Sequence, residues 1–276
     1  LKIYNVKNIN SSLHLCEAPG GFVQATIHMF PNVDWSAQTL YEGSGKLEID
    51  PNLDKSKWIQ NGNGDICNID NIKKLATRKY DLITGDGGFD VSPNPNNQEQ
   101  ICFKLIFGQF LAALHCQEIN GKFVCKLFDS ATKPTCQLIL LFTKYYRNVY
   151  LVKPRSSRFT NSEKYIYCEG FRGIGGDDLE YLCNLLDNWE LKYCRDIGVI
   201  YRNNDNGIKN YNVFLSRNQI VYINSAVKYS QSRNKSIISN KLETMQNKRA
   251  LLYCIAFELR VDKDICLHKK VLYTIQ

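Results

Sequence analysis

An α/β fold on a largely parallel sheet is what this 276-residue sequence predicts, and two observations carry that prediction. Short apolar runs alternate with segments of helix length, the pattern of strands joined by helical crossovers. Two of those runs end at an acid followed closely by a glycine pair, the kind of turn that open α/β sheets place at the carboxyl ends of their strands.

Residues 13–17 form the first expected strand, leading into a helix over 21–29. Strands are expected at 35–40 and 80–86. Residues 98–119 read as a helix, because Ile101, Leu105, Phe110, Leu111 and Leu114 recur near helical spacing and would cover one sheet face. A strand at 122–128, a helix at 133–146 and strands at 148–152 and 164–168 follow. At Gly173, Gly175 and Gly176 the rhythm breaks. Asp177 and Asp178 then start a helix with Leu179, Leu182, Leu185 and Leu186 on its apolar side. The expected organisation is a domain over 1–173 and a basic, mostly helical extension over 174–276.

Hydrophobic residues make up 44% and charged residues 22% of the chain, which excludes a mostly disordered protein. No apolar run approaches the roughly 18 residues of a membrane span, so no membrane partner is expected. The eleven cysteines show no C-x-x-C spacing, and the four histidines show no metal-ligand pairing. They read as reduced thiols of an intracellular protein, cytoplasmic or else nuclear, with no metal. The chain begins at Leu1 without a secretory leader, so a trimmed start is expected. Abundant Asn, Ile and Lys suggest an AT-rich, viral or protist source.

Charge is uneven. Residues 1–190 hold 20 basic and 21 acidic residues, whereas 191–276 hold 15 and 6. The whole excess of +8 therefore sits in the last third, as a polyanion-facing segment or a solvated helical surface.

Four segments carry chemistry. In the first, Cys16, Glu17, Ala18, Pro19, Gly20, Gly21 and Phe22 link a strand to a helix, and the two glycines let backbone approach a ligand closely. Glu17 could accept from a ligand ammonium or hydroxyl. In the second, Asp86 precedes Gly87 and Gly88, so little bulk screens its carboxylate, although a turn acid can also cap its own backbone. In the third, Lys126 lies between apolar neighbours in a strand, a costly place for an ammonium unless it is paired or functional. In the fourth, the polar loop from Ser156 through Arg158 and Asn161 delivers Glu163 to the last strand.

Taken together, these words resemble the FtsJ-like (RrmJ-like) ribose 2′-O-methyltransferases, more narrowly their mRNA-cap branch with its large-DNA-virus members. The resemblance rests on Cys16 to Phe22, Gly64-Asp65-Ile66, Asp86 to Phe89, Gly121 to Lys126, Lys153-Pro154, and Ser156 to Glu163, in order over about residues 10–172. It implies a Rossmann-like sheet that binds S-adenosyl-L-methionine. The glycine turn, Cys16 to Phe22, would be the cofactor loop, Asp65 the acid by the adenosine, and Asp86 would lie beside the cofactor cleft. Asp86, Lys126 and Glu163 would be three members of a Lys-Asp-Lys-Glu catalytic set. The family's first Lys falls a few tens of residues before the glycine turn. Lys2 and Lys7 stand too close to that turn, so this Lys is expected upstream of Leu1. The implied substrate is RNA at the capped 5′ end of mRNA, with a capping-machinery protein as a further partner. An rRNA or tRNA substrate, or a silent cofactor- or RNA-binding subunit, are the alternatives.

Overall fold

The computed structural model describes residues 6–257 except 44–45, 92–93, 155–156, 191–194, 199–205 and 233–234. Lys2, Ser156, Cys194, Cys266 and the basic cluster of His268, Lys269 and Lys270 lie outside the described residues. The chain divides into two compact units, Asn8–Arg217 and a second made of Leu1–Lys7 with Asn218–Gln276.

The first unit is built on six strands: β1 (Ser11–Leu15), β2 (Asp34–Ala37), β3 (Tyr80–Gly85), β4 (Gln117–Leu127), β5 (Tyr146–Val152) and β6 (Lys164–Phe171). Their order is β2-β1-β3-β4-β6-β5. The first four run parallel, and β6 runs antiparallel to both of its neighbours. The expected α/β class holds, with this one reversal between β4 and the edge strand β5.

Helix α1 (Gly21–Met29) and the short α2 (Ile69–Leu75) follow β1 and β2, while α3 (Gln98–Cys116) and α4 (Lys133–Tyr145) follow β3 and β4. Helix α3 buries Phe103, Phe107, Phe110, Leu111 and Leu114. Its Phe110 ring meets Phe142 of α4 at 4.1 Å, and Phe142 stacks on Phe123 of β4 at 5.8 Å, so both helices cover one sheet face. The expected helix over 98–119 stops at Cys116 because Gln117 already pairs with Tyr80 as the start of β4. Helix α2 escaped the sequence reading. Its signals are an Asn68 cap that accepts from the Asp70 N–H and buried Ile69, Ile72 and Leu75 three apart.

After the glycine break, α5 (Gly176–Asp187) does not leave the first unit. Leu182, Leu185, Leu186 and Trp189 are buried in the same core, and Trp189 packs on Phe103 and Phe107 at 5.6 and 5.4 Å. The glycines at 173–176 turn the chain back onto α3, so the compact unit extends past the expected break. Helix α6 (Asn206–Gln231) includes residues of both units, and α7 (Lys235–Phe257) belongs to the second. No described helix is long and apolar enough to cross a membrane.

His14 lies fully buried in β1. Its Nε2 meets Ser12 Oγ at 2.9 Å and its Nδ1 meets Thr84 Oγ1 at 2.8 Å, so a neutral ring has both nitrogens satisfied. Burial lowers its pKa from 6.5 to about 3. The unfolded chain therefore takes up this proton first as pH falls, and stability present above pH ~6.5 drains away toward pH ~3. Between pH 7 and pH 5 His14 should account for a loss of about 2 kcal/mol. Urea unfolding of wild type and His14→Gln at the two pH values should show the variant less stable at pH 7 but missing that share of the pH dependence.

Candidate active site

The carboxyl ends of β1, β2 and β3 open on one edge of the sheet. At the first of these ends Cys16 takes a left-handed φ of 55°, which stops β1 at Leu15 instead of the expected Glu17 and turns Glu17 back toward the next helix. Glu17 Oε1 accepts from the N–H groups of Phe22 at 2.7 Å and Val23 at 3.0 Å, capping the start of α1 with an acid as its dipole favours. The carboxyl is 3% exposed, and Oε2 has no hydrogen-bond partner. Burial pushes its pKa up to about 8, against the pull of the two N–H donors.

The two glycines of the turn differ. Gly20 has φ +128°, a backbone conformation that favours glycine, and a Cβ there would sit 2.2 Å from Leu53 Cδ1, so that side chain would have to move. At Gly21 a Cβ meets nothing within 4 Å. Space for close approach, expected of both, is thus visible on the Cβ side of Gly21.

Gln38, fully buried just beyond β2, ties this turn to the Gly64–Asp65 loop. Its Oε1 accepts from Cys16 N–H at 3.2 Å, and its Nε2 donates to the carbonyls of Thr39 and Gly64. A Cβ on Gly64 would strike the Thr39 carbonyl at 1.9 Å, so that loop lies directly on the chain leaving β2. Asp65 is half-buried, and its Oδ1 accepts from Cys67 N–H at 2.8 Å.

At the end of β3, Asp86 meets Lys126 of β4. Lys126 Nζ lies 3.2 Å from Asp86 Oδ1 and donates to the Asp86 carbonyl at 2.7 Å. The Lys126 side chain is 16% exposed and that of Asp86 37%, so the pair is sheltered yet reachable. Burial raises the Asp86 pKa, Lys126 opposes the rise, and the nearby Glu163 adds to it. Tyr165 OH donates to Asp86 Oδ1 at 3.4 Å, and its ring faces Phe22 of α1 at 6.1 Å. Register places Tyr165 opposite Lys126 on the neighbouring strand.

Glu163 stands on the turn before β6, and its Oε1 accepts from Ser157 Oγ at 3.3 Å. The turn is held by Lys153, whose Nζ donates to the Asn161 carbonyl and Oδ1 at 3.0 and 2.7 Å and to the Glu163 carbonyl. On the opposite sheet face Lys164 is 2% exposed and donates to the Phe128 carbonyl, clamping the end of β4 to the start of β6. Burial lowers its pKa to about 8, while Asp129 and Glu99 work the other way.

Asp86, Lys126 and Glu163 are thus gathered at one cleft, beside the turn that holds Glu17, Gly21 and Phe22. Sequence reasoning missed Tyr165, Lys164 and the purpose of Lys153. A period-two reading of β6 from Glu163 would have placed Tyr165 on the Lys126 face. The pinning by Lys153 and Lys164 goes to backbone carbonyls, which leave no mark in a sequence.

The cleft's donor set fits S-adenosylmethionine. A buried carboxylate oxygen without a partner at Glu17 suits an ammonium, Gly21 admits close approach, and the half-buried Asp65 suits the polar edge of an adenosine. Among the described residues, no three His, Cys, Asp or Glu side chains are grouped to hold a metal ion.

Comparison with known proteins agrees with this geometry. Residues 1–171 match the model of the FtsJ-like methyltransferase family. A cap-specific mRNA (nucleoside-2′-O-)-methyltransferase 1 of Trypanosoma cruzi is 37% identical over 180 residues, 60% of this chain and 49% of that protein. A probable methyltransferase of African swine fever virus (isolate Warthog/Namibia/Wart80/1980) is 33% identical over 193 residues, 60% of this chain and 46% of that one. An uncharacterized protein of Acanthamoeba polyphaga mimivirus is 31% identical over 274 residues, 88% of this chain and 34% of that one. The chain thus spans between about a third and a half of the length of these curated relatives. With more than half of its residues matched by the family model and the family's motif residues meeting at one cleft, the chain belongs to the FtsJ-like methyltransferases.

Proposed function

We propose that the protein methylates the ribose 2′-hydroxyl of RNA at the capped 5′ end of mRNA, with S-adenosylmethionine as methyl donor. The observation that carries this reading is the Lys126–Asp86 pair set beside the glycine turn, with the Glu163 turn on its other flank. S-adenosylmethionine, when bound, supplies a methyl group made electrophilic by its sulfonium. Glu17 and Gly21 hold its amino-acid end in this reading, and Asp65 its adenosine. The chain's own task is to present a hydroxyl oxygen in line with that methyl and to manage its proton.

Lys126 has three N–H donors, and two of them are engaged by Asp86. The remaining one orients the substrate hydroxyl, and the hydroxyl proton passes to a carboxylate of the cluster, Asp86 or Glu163. Asp86 and Glu163 hold negative charge around the ammonium and fix its direction, and the proton leaves for one of these carboxylates as the oxygen–methyl bond forms and the methyl–sulfur bond of the donor would break. The cap as target is supported by the trypanosome relative's name together with the order of the motif words. Among the described residues, thiols outside any disulfide, such as those of Cys16, Cys67, Cys102, Cys116 and Cys125, support an intracellular setting, cytoplasmic or nuclear. Exposed Lys209, Arg217, Lys228, Lys241, Lys248 and Arg249 along α6 and α7 support phosphate contacts with RNA, with a capping-machinery protein as the other use of those helices.

The deciding experiment is transfer of labelled methyl groups to capped and uncapped RNA, with the modified nucleotide mapped. Methylation of a cap-proximal ribose is expected. Transfer to uncapped RNA alone would favour an rRNA or tRNA substrate, and cofactor binding without transfer would favour a silent subunit.

Lys126→Ala should lower turnover by about 10²-fold or more and leave cofactor affinity close to wild type. Retention of a tenth of the turnover would remove Lys126 from its role. At pH ~6.5 the Glu17 carboxyl is mostly protonated, since its pKa is raised to about 8. A ligand ammonium favours its ionised form, so cofactor binding should release close to one proton. Calorimetry in buffers of different ionisation enthalpy should detect that proton in wild type and lose it in Glu17→Gln. Reversing Lys248 and Arg249 to Glu should weaken RNA binding and flatten its salt dependence, read by filter binding over a salt series.

A further inference from the structure

Gln109 sits in the middle of α3 with no exposure at all. A buried amide is costly unless each end finds a partner. Its Nε2 donates to the Leu105 carbonyl one turn earlier at 3.2 Å. Its Oε1 leaves the helix altogether and accepts from the N–H of Gly87 at 2.9 Å. Both glycines that flank Asp86 pack on this one side chain: a Cβ on Gly85 would lie 2.6 Å from Oε1, and one on Gly87 2.6 Å from Nε2. The glycines of this turn therefore make room for Gln109 as well as for the Asp86 carboxylate.

The Gly87 N–H and the Asp86 carbonyl belong to a single planar peptide unit, and in a trans peptide they point in opposite directions. Gln109 holds the N–H, and Lys126 Nζ holds the carbonyl at 2.7 Å. The preceding peptide is fixed as well, because the Asp86 N–H donates to the Leu15 carbonyl of β1 at 3.2 Å. With both peptides pinned, the carbonyl and the carboxylate of Asp86 can grip the same amine.

We propose that Gln109 is a positioning residue for Lys126, setting the plane of the Asp86–Gly87 peptide so that its carbonyl holds the lysine amine at the cleft. The kinetic part of this proposal rests on the methyl-transfer reading above. The structural part does not.

The test compares Gln109→Met, which keeps length and removes the acceptor, with Gln109→Glu, which keeps an oxygen at the same distance. In Gln109→Met turnover should fall about tenfold or more while the KM values for cofactor and RNA move less than about twofold, and Gln109→Glu should recover much of the loss. A second measurement needs no activity: competitive acetylation with acetic anhydride, read peptide by peptide by mass spectrometry. Lys126 should label several-fold faster in folded Gln109→Met than in wild type, relative to the exposed Lys209, and Gln109→Glu should fall between. Unchanged Lys126 labelling in the folded variant overturns the proposal, whatever the kinetics. Altered labelling in a protein without methyl transfer upholds the positioning role and overturns the reaction. Should Gln109→Met fail to fold, Gln109→Asn, which draws the amide back by one methylene, is read by the same two measurements.

Discussion

Parallel pairing of β3 between β1 and β4 is the constraint on which the rest of the site depends. Three strands that run the same way end on the same edge, so turns from distant parts of the sequence arrive there together. The glycine turn after β1 and the Asp86 turn after β3 are about seventy residues apart, yet the Asp86 N–H bonds directly to the last residue of β1. The core beneath supplies the rigidity. Phe103, Phe107, Phe110 and Phe142 fill the space between the sheet and two helices, and a packed interior of this kind does not let strand ends drift independently.

At that edge the parallel ladder stops and backbone groups lose their strand partners. Side chains take their place. Gln38 spans the Cys16 N–H and the Gly64 carbonyl, Glu17 caps the first turn of α1, Lys153 holds the Asn161–Glu163 turn, and Lys164 holds the Phe128 carbonyl. Each has the burial or partial burial that makes an unmade hydrogen bond expensive. Polar residues that would look misplaced in a hydrophobic core are here the fixings of the cleft. Glu17 is the exception, with one oxygen satisfied and the other without a partner, and that imbalance is what a cationic ligand would correct.

Much of this was legible in the sequence, for identifiable reasons. Strand and helix alternation showed because the core faces of β3 and α3 are almost wholly apolar. Asp86 and Lys126 showed because an acid beside glycines and a lysine between phenylalanine, valine and leucine both defy the local pattern. What did not show depends on backbone partners or on direction. Gln38 and Gln109 are ordinary polar residues by composition, and only their carbonyl and N–H partners mark them out. The positive φ at Cys16 ended β1 two residues early, and no residue type announces that at a cysteine. The extent of the first unit was misjudged because the glycines after Arg172 suggest a linker, whereas Leu182, Leu186 and Trp189 carry the chain back to α3.

The reversed direction of β6 has a further consequence. Asp86 follows its strand, but Glu163 precedes its own, because β6 enters the sheet at the edge where β3 and β4 leave it. The segment between β5 and β6 is therefore a return connection between adjacent antiparallel strands, with Lys153 at its start bonded to Asn161 and Glu163 near its end. A change of length in that connection requires no change in the crossing helices and no shift of the sheet. Evolution can thus rework the sequence between Lys153 and Asn161 while the groups anchored to the strands stay put.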